Sequence, residues 1–183
     1  MIETLPVEGF SKLKGFLREV EGERLAWLAS QVPADQAIVE IGSYMGKSTV
    51  CLAQGSTGAR VHAVDPWELG GQHQAWRYAK GSVFRTFRRQ TRGYKVTPHR
   101  GYSTEVAVGW NGPPVGLLFV DGEHTYDAVM ADVNAWWGKT APGAWVAFHD
   151  YDAKYPGVIE AVDEWAMGLD LSVIDRVAAV KLP

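Results

Sequence analysis

The chain has 183 residues, of which 46% are hydrophobic and 21% charged, and its formal net charge is −3. These figures fit one soluble globular domain and argue against a disordered chain or a global positive field that would gather nucleic acid or an anionic membrane. No run approaches the roughly 18 consecutive apolar residues of a membrane span, and Met1 to Pro6 lacks the basic and then apolar layout of a signal peptide, so a cytoplasmic protein is the expectation.

Ser11 followed by Leu13, Phe16, Leu17, Val20, Leu25, Trp27 and Leu28 gives a helical rhythm with Ser11 as its N-cap, and Gly22 weakens the middle enough to allow two helices. Ala37 to Ile41 is a short apolar run that stops at Gly42, which reads as a buried strand. Gly46 to Gln54 reads as the next helix. It carries Cys51, the single cysteine, which can close no internal disulfide and reads as a small core residue in a reducing compartment. Arg60 to Val64 is a second strand ending at Asp65-Pro66. Gln72 to Arg92 is polar and helical, with Phe84 and Phe87 on its apolar side. Tyr94 to His99 is a weaker third strand, and Ser103 opens a helix ending near Trp110.

Asn111 to Pro114 is a turn, and Val115 to Val120 is a strongly apolar strand ending at Asp121. Tyr126 to Trp137 is helical, Pro142-Gly143 turns, and Ala144 to Phe148 is a fifth strand ending at His149-Asp150. Pro156-Gly157 precedes a helix to about Met167. The tail from Leu171 to Leu182 reads as two short strands about a turn near Asp175-Arg176. Of the eight tryptophans, Trp136, Trp137 and Trp145 fall near these last strand ends, and core filling is their simplest use.

Strands that alternate with helices, and that are continuously apolar, imply a parallel sheet covered on both faces. Ligands of such sheets bind outside the carboxyl ends of the strands. The strand ends here are Glu40/Gly42, Asp65, Asp121 and His149/Asp150, all on one edge, and that is the strongest functional signal in the sequence.

Three constellations sit at or near that edge. The first is Glu40-x-Gly42-x-x-x-Gly46 between strand and helix. A dinucleotide loop wants glycines as G-x-G-x-x-G, and Tyr44 stands at the second of those places, which hinders a pyrophosphate. With Asp65 placed to accept from ribose hydroxyls, the loop suits an adenosyl ligand without a diphosphate. Gly42 to Ser48 also resembles a phosphate-binding P-loop, but three residues separate its glycines where that motif has four. A glycine turn without a ligand would leave Glu40 and Asp65 unexplained.

The second constellation is Asp121-Gly122-Glu123-His124 with His149-Asp150. Asp121, His149 and Asp150 could ligate one magnesium-like cation, while Glu123 or His124 takes a proton from a substrate hydroxyl. The plainer use is Asp121 capping a helix and His149 packed in the core. The third is a stripe of Arg85, Arg88, Arg89 and Arg92, with Arg77 and Lys80 upstream, which reads as a solvated helix face or a mobile substrate cover.

The segments Val39 to Thr49, His62 to Trp67, Val120 to Tyr126 and Phe148 to Tyr151 together resemble the motif series of class I S-adenosylmethionine methyltransferases. The branch they resemble most is the small-molecule O-methyltransferases that include macrocin-type sugar methyltransferases and cephalosporin-cluster relatives. The resemblance runs from about Pro33 to the C-terminus. It implies an α/β, Rossmann-like, doubly wound and mainly parallel seven-stranded sheet with an antiparallel last strand, and so one domain over 1–183: an N-terminal helical segment, 1–32, and a core, 33–183.

The resemblance also implies that Glu40 and Gly42 line the methionine part of S-adenosylmethionine, that Asp65 holds the ribose and that Ser103 lies on the adenine side. Ser43, Tyr44, Gly46, Ser48, Trp67 and Asp121 complete the implied cofactor contacts. Metal-dependent relatives bind magnesium at the position of Asp121 and at an acidic pair on the fifth strand's end, with the acid at Glu123 a base. Here that pair is His149-Asp150, so His149 is a ligand, a base, or neither. The expected enzyme methylates a hydroxyl of a small molecule, such as a sugar or secondary metabolite, without nucleic-acid or membrane partners, and a second copy could complete its pocket. The alternatives are a P-loop-like nucleotide binder and a non-catalytic binding module on the same fold.

Overall fold

The computed structural model describes residues 3–67 and 81–183. A short 3₁₀ turn, Phe10–Lys12, leads into α1 (Glu19–Ser30), then β1 (Ala37–Ile41), α2 (Lys47–Gly55), β2 (Arg60–Asp65), α3 (Ser82–Gln90) and β3 (Val96–Arg100). The second half runs α4 (Ser103–Val108), β4 (Val115–Val120), α5 (Tyr126–Trp137), β5 (Thr140–Phe148), α6 (Pro156–Trp165), β6 (Leu171–Ile174) and β7 (Val177–Lys181). The strands form one seven-stranded sheet in the order β3-β2-β1-β4-β5-β7-β6. Neighbours from β3 through β5 are parallel, and β7 runs antiparallel to both β5 and β6. This is the doubly wound sheet, with an antiparallel last strand, that the motif series implies.

Alternate side chains of each strand feed two cores. Ile38, Leu117, Phe119 and Val177 pack against α1 and α2 on one face. Val39, Ile41, Leu118, Val120 and Phe148 pack against Trp136 and Val162 of α5 and α6 on the other. Burial on both sides is why β4, and β1 apart from Glu40, are apolar throughout rather than alternating. Each fully buried Leu, Val or Phe contributes about 1.5–3 kcal/mol, against the entropy of ordering it.

Three local readings shift. Gly22 does not break the first helix. It lies inside α1 as a contact point, where a Cβ would come within 2.7 Å of the Phe10 ring and 3.0 Å of Cys51 Sγ. The N-cap of that helix is Arg18, not Ser11, and its backbone N–H donates to the Glu21 carboxylate at 2.6 Å. Pro142-Gly143 lies within β5, and the β4–β5 register shifts between Val115 and Leu117 to accommodate it. The expected helix across 72–92 is α3 in its described part; 68–80 lie outside the described residues.

The strand order reverses between β1 and β4, which makes their carboxyl ends the topological switch point. Gly42 leaves β1 there with φ +86°, and a Cβ on it would lie 2.0 Å from the Asp121 carbonyl oxygen. Only glycine lets the two strand ends approach this closely.

Candidate active site

A cavity of about 550 Å³ opens over that switch point. Gly42, Ser43, Tyr44, Met45, Lys47 and Ser48 form one wall, and Asp121, His124, His149, Asp150 and Arg176 another. The N-terminal stretch 15–18 and the pair Lys154-Tyr155 close the sides. Members of the first and second constellations therefore share one chamber, with Glu40, Gly46, Asp65 and Glu123 outside its lining.

On the first wall, Asp65 ties the loop together. Its Oδ2 accepts from the Tyr44 amide at 2.8 Å and its Oδ1 from the Trp67 amide at 2.5 Å. Tyr44 and Trp67 both carry positive φ, 44° and 45°, and the Trp67 indole donates to the Tyr44 carbonyl at 2.8 Å. Burial raises the Asp65 pKa, partly offset by the two amides. Gly46, at φ +88°, is the N-cap of α2 and packs against Phe87.

Glu40, fully buried, accepts from the Thr49 hydroxyl. Burial pushes its carboxyl up to about 7, although the hydroxyls of Ser48 and Thr49 favour its charged form. Glu40 Oε1 and Ser43 Oγ are buried with no hydrogen-bond partner among the described residues. Unsatisfied acceptors beside a cavity fit a ligand that brings donors or positive charge. The ammonium and sulfonium of S-adenosylmethionine meet that need.

Ser103 sits elsewhere. It is buried at the start of α4, accepts the Trp136 indole N–H at 2.9 Å, and does not line the chamber. Its neighbour Asp132 is pushed up to about 6, by burial first and then by the charge of Glu123. Glu123 is exposed and also outside the chamber, whereas His124 faces into it.

The second wall is an ion network with two members the sequence reading missed. His149 Nδ1 lies 3.2 Å from Asp121 Oδ1 and 3.3 Å from Asp150 Oδ2, and its Nε2 lies 3.3 Å from Glu21 Oε2. Glu21, fully buried on α1, takes a two-pronged grip from Arg176 (Nε 2.7 Å, Nη2 3.1 Å) and the Arg18 amide at 2.6 Å. Arg176 Nη1 also donates to Asp150 Oδ1 at 2.7 Å. His124 Nε2 meets Asp150 Oδ2 at 2.9 Å, and its ring lies over Tyr155 with centroids 4.5 Å apart.

Burial alone would raise Glu21, but His149, Arg176 and the Arg18 amide outweigh it and hold the carboxyl at about 2. Asp150 is likewise lowered by His124 and His149 against the cost of burial. The carboxylates of Asp121, 3.9 Å away, and of Asp150, at 2.9 Å, lift His124 to about 9. His149 goes higher still, because three carboxylates outweigh the burial that disfavours its charge.

These shifts set a sign for stability against pH. Both imidazoles have folded pKa values above the ordinary 6.5, so their contribution is complete below 6.5 and is lost as pH rises. Stability to urea should therefore fall from pH 6.5 to 9, by up to about 1.4 kcal/mol per pH unit for each ring. His62, whose pKa is lowered to about 4 by burial and by His99, acts only below that window. His124→Gln should roughly halve the slope; an unchanged slope would remove His124 from the network.

The strand order, with a chamber at its switch point, is the arrangement that the motif series implies. The chain belongs to the family described as Methyltransferase domain, which matches residues 39–151, more than half of its length. An uncharacterized protein, y4gI, of Sinorhizobium fredii is 31% identical over 125 residues, covering 66% of this chain and 14% of that protein. The chain spans less than two thirds of the length of the curated relatives it matches.

Among solved structures, the O-methyltransferase TomG from Streptomyces achromogenes, involved in tomaymycin synthesis and in complex with SAM, has a TM-score of 0.70 at 18% identity. The match covers 98% of this chain and 92% of that one. The O-methyltransferase NovP has a TM-score of 0.69 at 18% identity, over 88% of this chain and 78% of the other. At such identities these two show a shared fold. Glu21 and Arg176 both lie outside the matched residues 39–151.

Proposed function

We propose that the chain transfers a methyl group from S-adenosylmethionine to a hydroxyl of a small molecule. The observation that carries this reading is one chamber with two unlike walls. One wall has the glycine loop backed by the unsatisfied Glu40 and Ser43. The other has an imidazole, His124, paired with a carboxylate.

The cofactor supplies a methyl group already activated on a sulfonium. The chain must place an acceptor oxygen in line with it and take up the proton. Gly42, Ser43 and Tyr44 would border the methionine portion, with Glu40 behind them. The Asp65 carboxylate keeps lone pairs for ribose hydroxyls beyond its two amides. His124, held by Asp150, faces the acceptor side and takes the hydroxyl proton. That TomG and NovP are O-methyltransferases supports oxygen as the acceptor atom.

Calorimetry tests the reading directly. S-adenosylhomocysteine should bind with a Kd in the micromolar range, about −8 kcal/mol, and Asp65→Ala should weaken it about tenfold or more by leaving the Tyr44 and Trp67 amides without their acceptor. Absence of binding to the unmutated chain would sink the proposal. Magnesium-ATP is the control for a P-loop reading. That reading is disfavoured because the Lys47 ammonium sits over the Phe10 ring, 4.0 Å from its centroid.

A further inference from the structure

The motif resemblance raises a magnesium ion at Asp121 and Asp150, so the donor set can be tested against one. Magnesium takes near-octahedral oxygen ligands at about 2.0–2.1 Å and keeps several waters. Asp121, His124 and Asp150 do bring one ligand-type atom each within 4.8 Å of one another. But both Asp150 oxygens already face cations, Oδ1 bonded to Arg176 and Oδ2 to His124, so an ion there would have to share each with a positive charge. His149 Nδ1 fills the space between Asp150 and Asp121, at 3.3 and 3.2 Å. Two imidazoles and a guanidinium facing the carboxylates do not make a hard-oxygen site.

A carboxylate behind a ring nitrogen, as Glu21 stands behind His149, is also how a ligating histidine is supported. Arg176 separates the two cases. Its guanidinium is permanently charged and bridges Glu21 to Asp150, so an ion on Asp150 would sit beside a cation that cannot neutralise itself. We propose that His149 and Arg176 occupy the place a divalent ion takes in metal-dependent relatives, and that this site works without one. The cationic side of the chamber is then built from the protein. Its Arg176 and the Glu21 that anchors it come from β7's leading turn and from α1, outside the family-matched residues. The ion network stands by itself; that methyl transfer proceeds there without an ion rests on the proposed function.

The test uses the full chain after treatment with a chelator. Titration with Mg²⁺, Mn²⁺ and Zn²⁺, followed by calorimetry and by Mn²⁺ electron paramagnetic resonance, should show no binding at this site up to about 1 mM. His149→Asp, which restores an acidic pair, should gain a Mn²⁺ site at least about tenfold tighter. If that variant folds and binds no better than wild type, His149 is not what keeps ions out and the assignment falls.

Should the variant not fold, the wild-type chain alone decides, through paramagnetic broadening of the His149 ring signals. Selective broadening at stoichiometric Mn²⁺, or an ion bound below about 100 µM and lost in Asp121→Asn, overturns the proposal. Binding unchanged in Asp121→Asn lies elsewhere and leaves the proposal standing. S-adenosylhomocysteine affinity should be the same in chelator as in magnesium. If that ligand binds in neither, the methyltransferase reading fails while the metal result holds.

Discussion

Arg176→Met should lower the folding free energy by about 3 kcal/mol, measured by urea unfolding with tryptophan fluorescence. The guanidinium holds both Glu21 oxygens and one of Asp150, and Glu21 is completely buried. Removing it leaves Glu21, Asp121 and Asp150 sharing His149, with the buried Glu21 charge undercompensated away from water. The Arg176 side chain is itself 17% exposed, so water can reach part of the gap, and the cost belongs at the lower end of the range for breaking a buried pair.

Arg176→Lys should recover only part of the loss, since an ammonium cannot grip Glu21 with two parallel bonds while reaching Asp150. The contrasting pair is Arg18–Asp175, of similar length at 2.8 Å but with an Arg18 side chain 59% exposed. Arg18→Met should cost no more than about 1 kcal/mol. Equal losses at the two arginines would mean that Arg176 contributes only as a surface charge.

The parts of this site that were legible in the sequence are those where a strand's end fixes a residue's place. Gly42, Asp65, Asp121 and His149-Asp150 follow apolar runs, and a parallel sheet puts such ends on one edge whatever the details of packing. The tail pattern after Leu171 likewise gave two strands, β6 and β7, because the turn at Asp175-Arg176 divides them.

Glu21 and Arg176 were not legible, for a physical reason. Each reads locally as polar punctuation: Glu21 beside Gly22 in a weak helix, Arg176 in a tight turn. Their meaning lies in a contact 155 residues apart in the chain, which no local period encodes. No capping signature marks the helix start either, since Arg18 at the N-cap offers no side-chain acceptor. Ser103, which the motif resemblance puts on the adenine side, has in the fold a hydroxyl that accepts the Trp136 indole N–H.

The largest effect on catalysis is expected at His124. His124→Gln should slow methyl transfer by about 10²- to 10⁴-fold, the usual contribution of a positioned base, with S-adenosylhomocysteine affinity within about threefold of wild type. The pH profile carries the sharper test. Asp121 and Asp150 lift the imidazole to about 9, so at neutral pH most of it is protonated and cannot accept a proton. A base acts only in its neutral form, so the wild-type rate should climb by about tenfold per pH unit below 9 and level off above it.

The glutamine variant should lose that limb. Glu123→Gln should leave both rate and profile nearly unchanged, because Glu123 is exposed outside the chamber. A flat wild-type profile between pH 7 and 9 would take the proton-accepting role from His124. If the variant's rate and cofactor affinity fell together, His124 would be holding the wall of the chamber, through Asp150 and the Tyr155 ring, rather than moving a proton.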